Sequence, residues 1–148
     1  MSRFEKYFLM KSADTIDYVL EKMPSVEWDK ASMTSREIGD GNLNYVFKVE
    51  DAKGHSVIVK HAGEEIRISK DMIISTDRNR IESEILLLQD KLAPGLVPKV
   101  YLYDTVMCAC LMEDLSDHEM MRTAMTEHKT FPLFADHIST FMVNTLLG

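Results

Sequence analysis

The chain is 148 residues long, 45% hydrophobic and 28% charged, with a formal net charge of −7. That is the length of one domain with enough apolar content to bury a core. The acidic balance excludes a general surface for nucleic acid or anionic membrane. The N-terminal stretch MSRFEKYFLMK carries charges on both sides of a short apolar patch, without the apolar core of a signal peptide. The longest apolar run, residues 106–112, is too short to span a bilayer. A cytoplasmic location is the default expectation.

In chain order, Ser12 is placed to cap a helix running to about Met23, with Ile16, Val19, Leu20 and Met23 on one face and Pro24 ending it. Residues 33–38 read as a strand entering the turn Gly39, Asp40, Gly41, Asn42. From Leu43 the pattern alternates, with Leu43, Tyr45, Phe47 and Val49 facing one way and Asn44, Val46, Lys48 and Glu50 the other. A hairpin turn at residues 51–54 leads to a partner strand at 56–62, rich in β-branched residues. Residues 63–76 show no regular pattern. A helix is expected from Thr76 or Asp77 to residue 92, seated on the sheet through Ile81, Ile85 and Leu88 and stopped by Pro94 and Gly95. Two strands follow, residues 97–103 and 106–112, with a tight turn at Asp104 and Thr105. Ser116 or Asp117 is expected to cap a short helix, and residues 134–147 form a last amphipathic one.

This order predicts an α+β fold, a five-stranded antiparallel sheet with one packed helix. The chain divides into a helical extension at 1–32, a sheet-bearing unit at 33–115, and a hinge with further helices at 116–148. Cys108 and Cys110 are the only cysteines, and as alternate strand residues both are expected to be buried fillers. Trp28 reads as a packing anchor. His55, His61, His118, His128 and His137 lack ligand spacing and read as surface or capping residues. No metal site is expected among residues 1–148.

Phosphate oxygens need donors and close backbone approach. The Gly39 and Gly41 turn supplies both, because glycine permits unusual backbone angles and has no side chain to block a ligand. Asn42 and Asn44 add amide donors. Most glycine-bearing hairpins are only turns, and the motif by itself specifies little. Lys60 adds to it: a lysine within the apolar run VIVK is expensive unless paired. Its partners would be nucleotide phosphates and a glutamate on the next helix. Glu82 and Glu84 are the two candidates, and Glu82 is preferred. A solvent-facing lysine at a sheet edge is the bland alternative. The segment Met112, Glu113, Asp114, Leu115 ends an apolar strand at an abrupt change to polar residues, where backbone groups could meet an adenine edge.

Together the segments EIGDGNLNYVFKV, VIVKHA, STDRNRIESEIL, VPKVYLYD, LMEDLSDHEMMR and FPLFADHISTFMVNTLL resemble the N-terminal portion of the 5-methylthioribose kinases, small-molecule kinases of the protein-kinase-like fold. The similarity covers almost the whole chain. EIGDGNLN and MEDLSDH are the specific segments, and they separate this family from the aminoglycoside, choline and homoserine kinases. The resemblance implies ATP as phosphoryl donor, the 1-hydroxyl of methylthioribose as acceptor, and a place in methionine salvage. It implies Asn44 and Lys60 at the phosphates and residues 112–115 at the adenine. It also implies magnesium and a homodimer. One departure is that many family members carry a tryptophan in a GESWPLT-like stretch where this chain reads KDMIIST, so Met72 stands in that place. The family's catalytic loop, metal-binding carboxylates and substrate-gripping arginines are expected beyond Gly148. The isolated chain is therefore expected to be inactive. The alternative reading is a kinase-fold remnant that binds nucleotide or a protein partner without catalysis.

Overall fold

The computed structural model describes residues 2–38, 43–63, 65–66 and 69–147, with the backbone alone at 65, 66 and 69–73. Five strands form one antiparallel sheet: β1 (Thr34–Glu37), β2 (Asn44–Glu50), β3 (Ser56–Ala62), β6 (Val100–Asp104) and β7 (Ala109–Met112), in the order β1-β2-β3-β7-β6. The expected sheet is therefore present. Residues 63–76, read as irregular, hold a separate small ladder of β4 (Glu65–Ile66) and β5 (Ser69–Ile73).

The register sorts the side chains onto two faces. Val46 stands opposite Lys60 and Lys48 opposite Ile58; Ile58 in turn faces Met112, and Lys60 faces Cys110. Those residues share one face. Phe47, Val49, Val57, Val59, Ala109 and Leu111 share the other, and all are buried. Helix α1 (Ser12–Lys22) and the segments around it close over that second face. Phe4, Met10, Tyr18, Val19, Trp28 and Met33 join its core, with Ile16, Leu20 and Met23 packed alongside. Ser12 is the first helical residue rather than the cap. Lys11 holds that position, and the Asp14 carboxylate accepts from its N–H at 2.8 Å. A buried cluster ties this layer to the sheet: Tyr18 Oη donates to Asp104 at 3.1 Å, and Lys22 Nζ lies 2.9 Å from the same carboxylate.

Helix α2 (Asp77–Leu92) covers the Lys60 face, contacting β3, β6 and β7. It does not sit on Ile81, Ile85 and Leu88 as the spacing predicts. Those side chains are 46%, 48% and 55% exposed, while Asn79 and Ser83 are buried. The seat is polar because the ground beneath it is polar. Asn79 Nδ2 donates to the carbonyls of Lys60 (2.8 Å) and Cys108 (3.0 Å), and the Cys108 carbonyl also accepts from the Ala62 N–H at 3.0 Å, so the helix is bonded to the end of the β3–β7 ladder.

Two further expectations change. Cys108 is not a strand residue. It sits in the β6–β7 turn with a left-handed φ of 49° and is half-buried, whereas Cys110 on β7 is buried. That turn is organised by Asp104, whose carboxylate accepts from the N–H groups of Val106 and Met107. His61 is fully buried rather than at the surface. Its ring stacks on Tyr7 at 5.6 Å, and its Nε2 accepts from the Met10 N–H at 3.4 Å.

The C-terminal part holds α3 (Met121–Thr126) and α4 (Phe134–Leu146). Ser116 and Asp117 cap neither. Helix α4 buries no residue, and Ile138, Met142, Val143 and Leu146 are exposed. No helix among the described residues is long and apolar enough to cross a membrane.

Candidate functional site

Lys60 is held at both ends by α2. Its carbonyl accepts from Asn79, and its Nζ lies 2.5 Å from Glu82 Oε1. Asn79 and Glu82 are three residues apart and share a helix face, so one helical turn fixes the strand residue and its ammonium group together. Glu84, the other candidate, points away and pairs with Arg80 at 2.6 Å. Arg78, one turn before Glu82, donates to the carbonyls of Leu43 (2.6 Å), Gly63 (2.9 Å) and Ser75 (2.6 Å). Sequence reasoning missed Arg78 and Asn79. Their spacing with Glu82 and Ser83 formed a polar stripe that was legible in the chain.

Asn44 opens β2 opposite Ala62, on the Lys60 face, and its Oδ1 is buried without a hydrogen-bond partner among the described residues. Gly39, Gly41 and Asn42 lie outside the described residues. The backbone of Met72 is in β5.

At the other end of the same face, β7 runs into residues 112–115. The Glu113 N–H donates to the Lys99 carbonyl at 2.8 Å, and the Leu115 carbonyl accepts from His118 N–H at 2.9 Å. No hydrogen bond among the described residues uses the Glu113 carbonyl or the Leu115 N–H. That leaves one acceptor and one donor on adjoining backbone, the pair an adenine edge requires. The Glu113 side chain accepts from Lys99 N–H (3.0 Å). The Asp114 carboxylate is taken by Lys48 Nζ at 2.9 Å and by Ser116. Burial pushes the Asp114 carboxyl up, but hydrogen bonds from Ser116, Lys48 and Ser56 outweigh it and hold it at about 2.

Among the described residues no group of three or more His, Cys, Asp or Glu side chains could hold a metal ion. The described residues do not fit a magnesium site.

An antiparallel five-stranded sheet with a strand lysine paired to a glutamate on the covering helix is the architecture of a kinase-like N-terminal lobe. Over 143 residues the chain is 36% identical to a methylthioribose kinase of Yersinia enterocolitica, covering 95% of this chain and 36% of that protein. It is 41% identical over 119 residues to a methylthioribose kinase of Bacillus velezensis (79% of this chain, 30% of that one). It is 39% identical over 120 residues to that of Bacillus pumilus (80% and 30%). No family profile matches the chain. The chain belongs to the methylthioribose kinase family, and it spans about a third of the length of the curated relatives it matches.

Proposed function

We propose that this chain is the ATP-binding portion of an enzyme that transfers a phosphoryl group from ATP to the 1-hydroxyl of 5-methylthioribose, in the methionine salvage route of the cytoplasm. The observation that carries the reading is the Lys60–Glu82 pair, set on the same sheet face as the open hinge backbone. In this reading Lys60 neutralises the α- and β-phosphates and Glu82 holds its ammonium in place. Asn44, with Gly39, Gly41 and Asn42 of the preceding turn, lies at the phosphates, and residues 112–115 border the adenine. The names of the relatives support a sugar acceptor and a kinase reaction. Magnesium and a homodimeric assembly belong to the whole enzyme in this proposal.

Calorimetric titration of the 148-residue chain with ATP tests the reading. Binding is expected, and Lys60→Met should weaken it about thirtyfold, the low end for a partly buried charge-assisted contact. The chain alone is expected to give no ATP-dependent phosphorylation of methylthioribose. Equal ATP affinity in wild type and Lys60→Met would overturn the site, and turnover by the purified chain would overturn the division of labour.

A further inference from the structure

Lys48 is the second lysine on the cleft-side face, and neither the similarity nor the site reading assigns it a role. It is 9% exposed, and a lysine this buried is sustained only by partners. Three are present. Its Nζ lies 2.9 Å from Asp114 Oδ2, 3.0 Å from Glu50 Oε2, and 3.1 Å from Ser116 Oγ. Those three contacts occupy all three ammonium protons. Hydrogen bonding to Asp114 and then Glu50 raises the Lys48 pKa, so the group stays charged.

Two of the three partners sit in the segment that leaves β7, not in the strands. Lys48 stands opposite Ile58, and Ile58 opposite Met112, the last strand residue before the hinge. The lysine therefore reaches across β3 to grip the chain just after it leaves the sheet. On the opposite flank the same segment is gripped by β6-side backbone, through Glu113 N–H to the Lys99 carbonyl and Lys99 N–H to Glu113 Oε2. Residues 113–116 are thus clamped from both sides of β7. The unused Glu113 carbonyl and Leu115 N–H lie between the two clamps.

We propose that Lys48 is a positioning residue for the nucleotide base. It fixes where the backbone of residues 113–115 stands, acting through Asp114 and Ser116 without touching the nucleotide. The inference rests on the nucleotide reading of this hinge. Removing the ammonium leaves the Asp114 and Glu50 carboxylates facing the same vacated point, and their repulsion drives the segment outward.

The test uses the 148-residue chain with Lys48→Met, Lys48→Arg and Ser116→Ala. Amide hydrogen exchange should show residues 113–118 exchanging about tenfold faster in Lys48→Met, with α1 and β3 unchanged, because only a local opening is affected. ATP affinity should fall about tenfold in the same variant, while affinity for inorganic tripolyphosphate, which has no base, should not move. Lys48→Arg should restore most of both readouts. Ser116→Ala, which strands no charge, should give the same pattern at about threefold and keeps the test decisive if Lys48→Met unfolds. Unchanged exchange at 113–118, or equal losses for ATP and tripolyphosphate, would overturn the positioning role. Absence of ATP binding by the wild-type chain would instead overturn the nucleotide reading, and the base-positioning role with it.

Discussion

His61 gives this fold a pH-dependent stability that can be calculated. The side chain is fully buried, its Nε2 accepts from Met10, and its Nδ1 has no partner at hydrogen-bonding geometry among the described residues. Burial pushes the imidazole down from 6.5 to about 4, and the backbone of Met107 and Phe8 offsets this only in part. The folded pKa is therefore depressed below the unfolded one. In that case the unfolded state takes up the proton first, so stability is fully present above 6.5 and is lost as pH falls towards about 4. The interval corresponds to about 3 kcal/mol in the limit, of which about 2 kcal/mol is already lost by pH 5. Urea unfolding followed by the fluorescence of Trp28, the sole tryptophan, measures it directly at pH 7, 6 and 5. In His61→Gln, which keeps a polar side chain that cannot titrate, the pH 7 to pH 5 loss should shrink by about 2 kcal/mol. A His61→Gln variant with the wild-type pH slope would refute the reasoning.

Asn79→Ala should destabilise by about 1–3 kcal/mol in urea unfolding, since it removes two side-chain hydrogen bonds from a buried position. Ile85→Asn on the same helix should stay within about 0.5 kcal/mol, because that side chain is exposed; a larger loss for Ile85 than for Asn79 would put the helix the other way round. The Asp114 carboxyl, held at about 2 against 3.8 unfolded, contributes stability that is present above about 4 and is lost as pH falls to 2; Asp114→Asn should flatten that acid limb. The exposed stripe of α4 should drive self-association, seen by sedimentation velocity as a species larger than a monomer at rising concentration, and a Met142→Glu, Leu146→Glu double variant should return it to a monomer.

The sheet was legible because its information is local. Strand β2 alternates cleanly, β3 is rich in β-branched residues, the two are joined by five residues at 51–55, and α2 begins and ends where its sequence places it. The β6–β7 connection was read too tightly because its left-handed residue is Cys108, a side chain that gives no sign of such a conformation. The β4–β5 ladder was missed because its residues are mostly polar and show no period. The face of α2 was misread for a deeper reason. Apolar spacing reports which residues could share a buried face, but the seat here is decided by hydrogen bonds to two carbonyls of the sheet end, and the polar stripe of Arg78, Asn79, Glu82 and Ser83 was the signal that apolar spacing passed over. The Lys60–Glu82 pair was legible because a charged residue in an apolar strand demands a partner. Lys48 obeys the same rule, but only Glu50 is near it in the chain; Asp114 and Ser116 lie across β3 and beyond the end of β7, out of reach of local reading.

The polar seat of α2 has a mechanical meaning. A helix resting on apolar side chains can creep by fractions of an ångström with little change in energy. One resting on directional bonds to carbonyls and an ammonium has a single well, with steep walls set by bond angle and length. Arg78, Asn79 and Glu82 all belong to one and a half turns of α2; Asn79 and Glu82 grip Lys60 at its carbonyl and its ammonium, and Arg78 grips the carbonyls of Leu43 and Gly63. A tilt that breaks one bond strains the others. The helix is therefore either docked or released, and the position of the Lys60 ammonium follows it as a detent follows a notch.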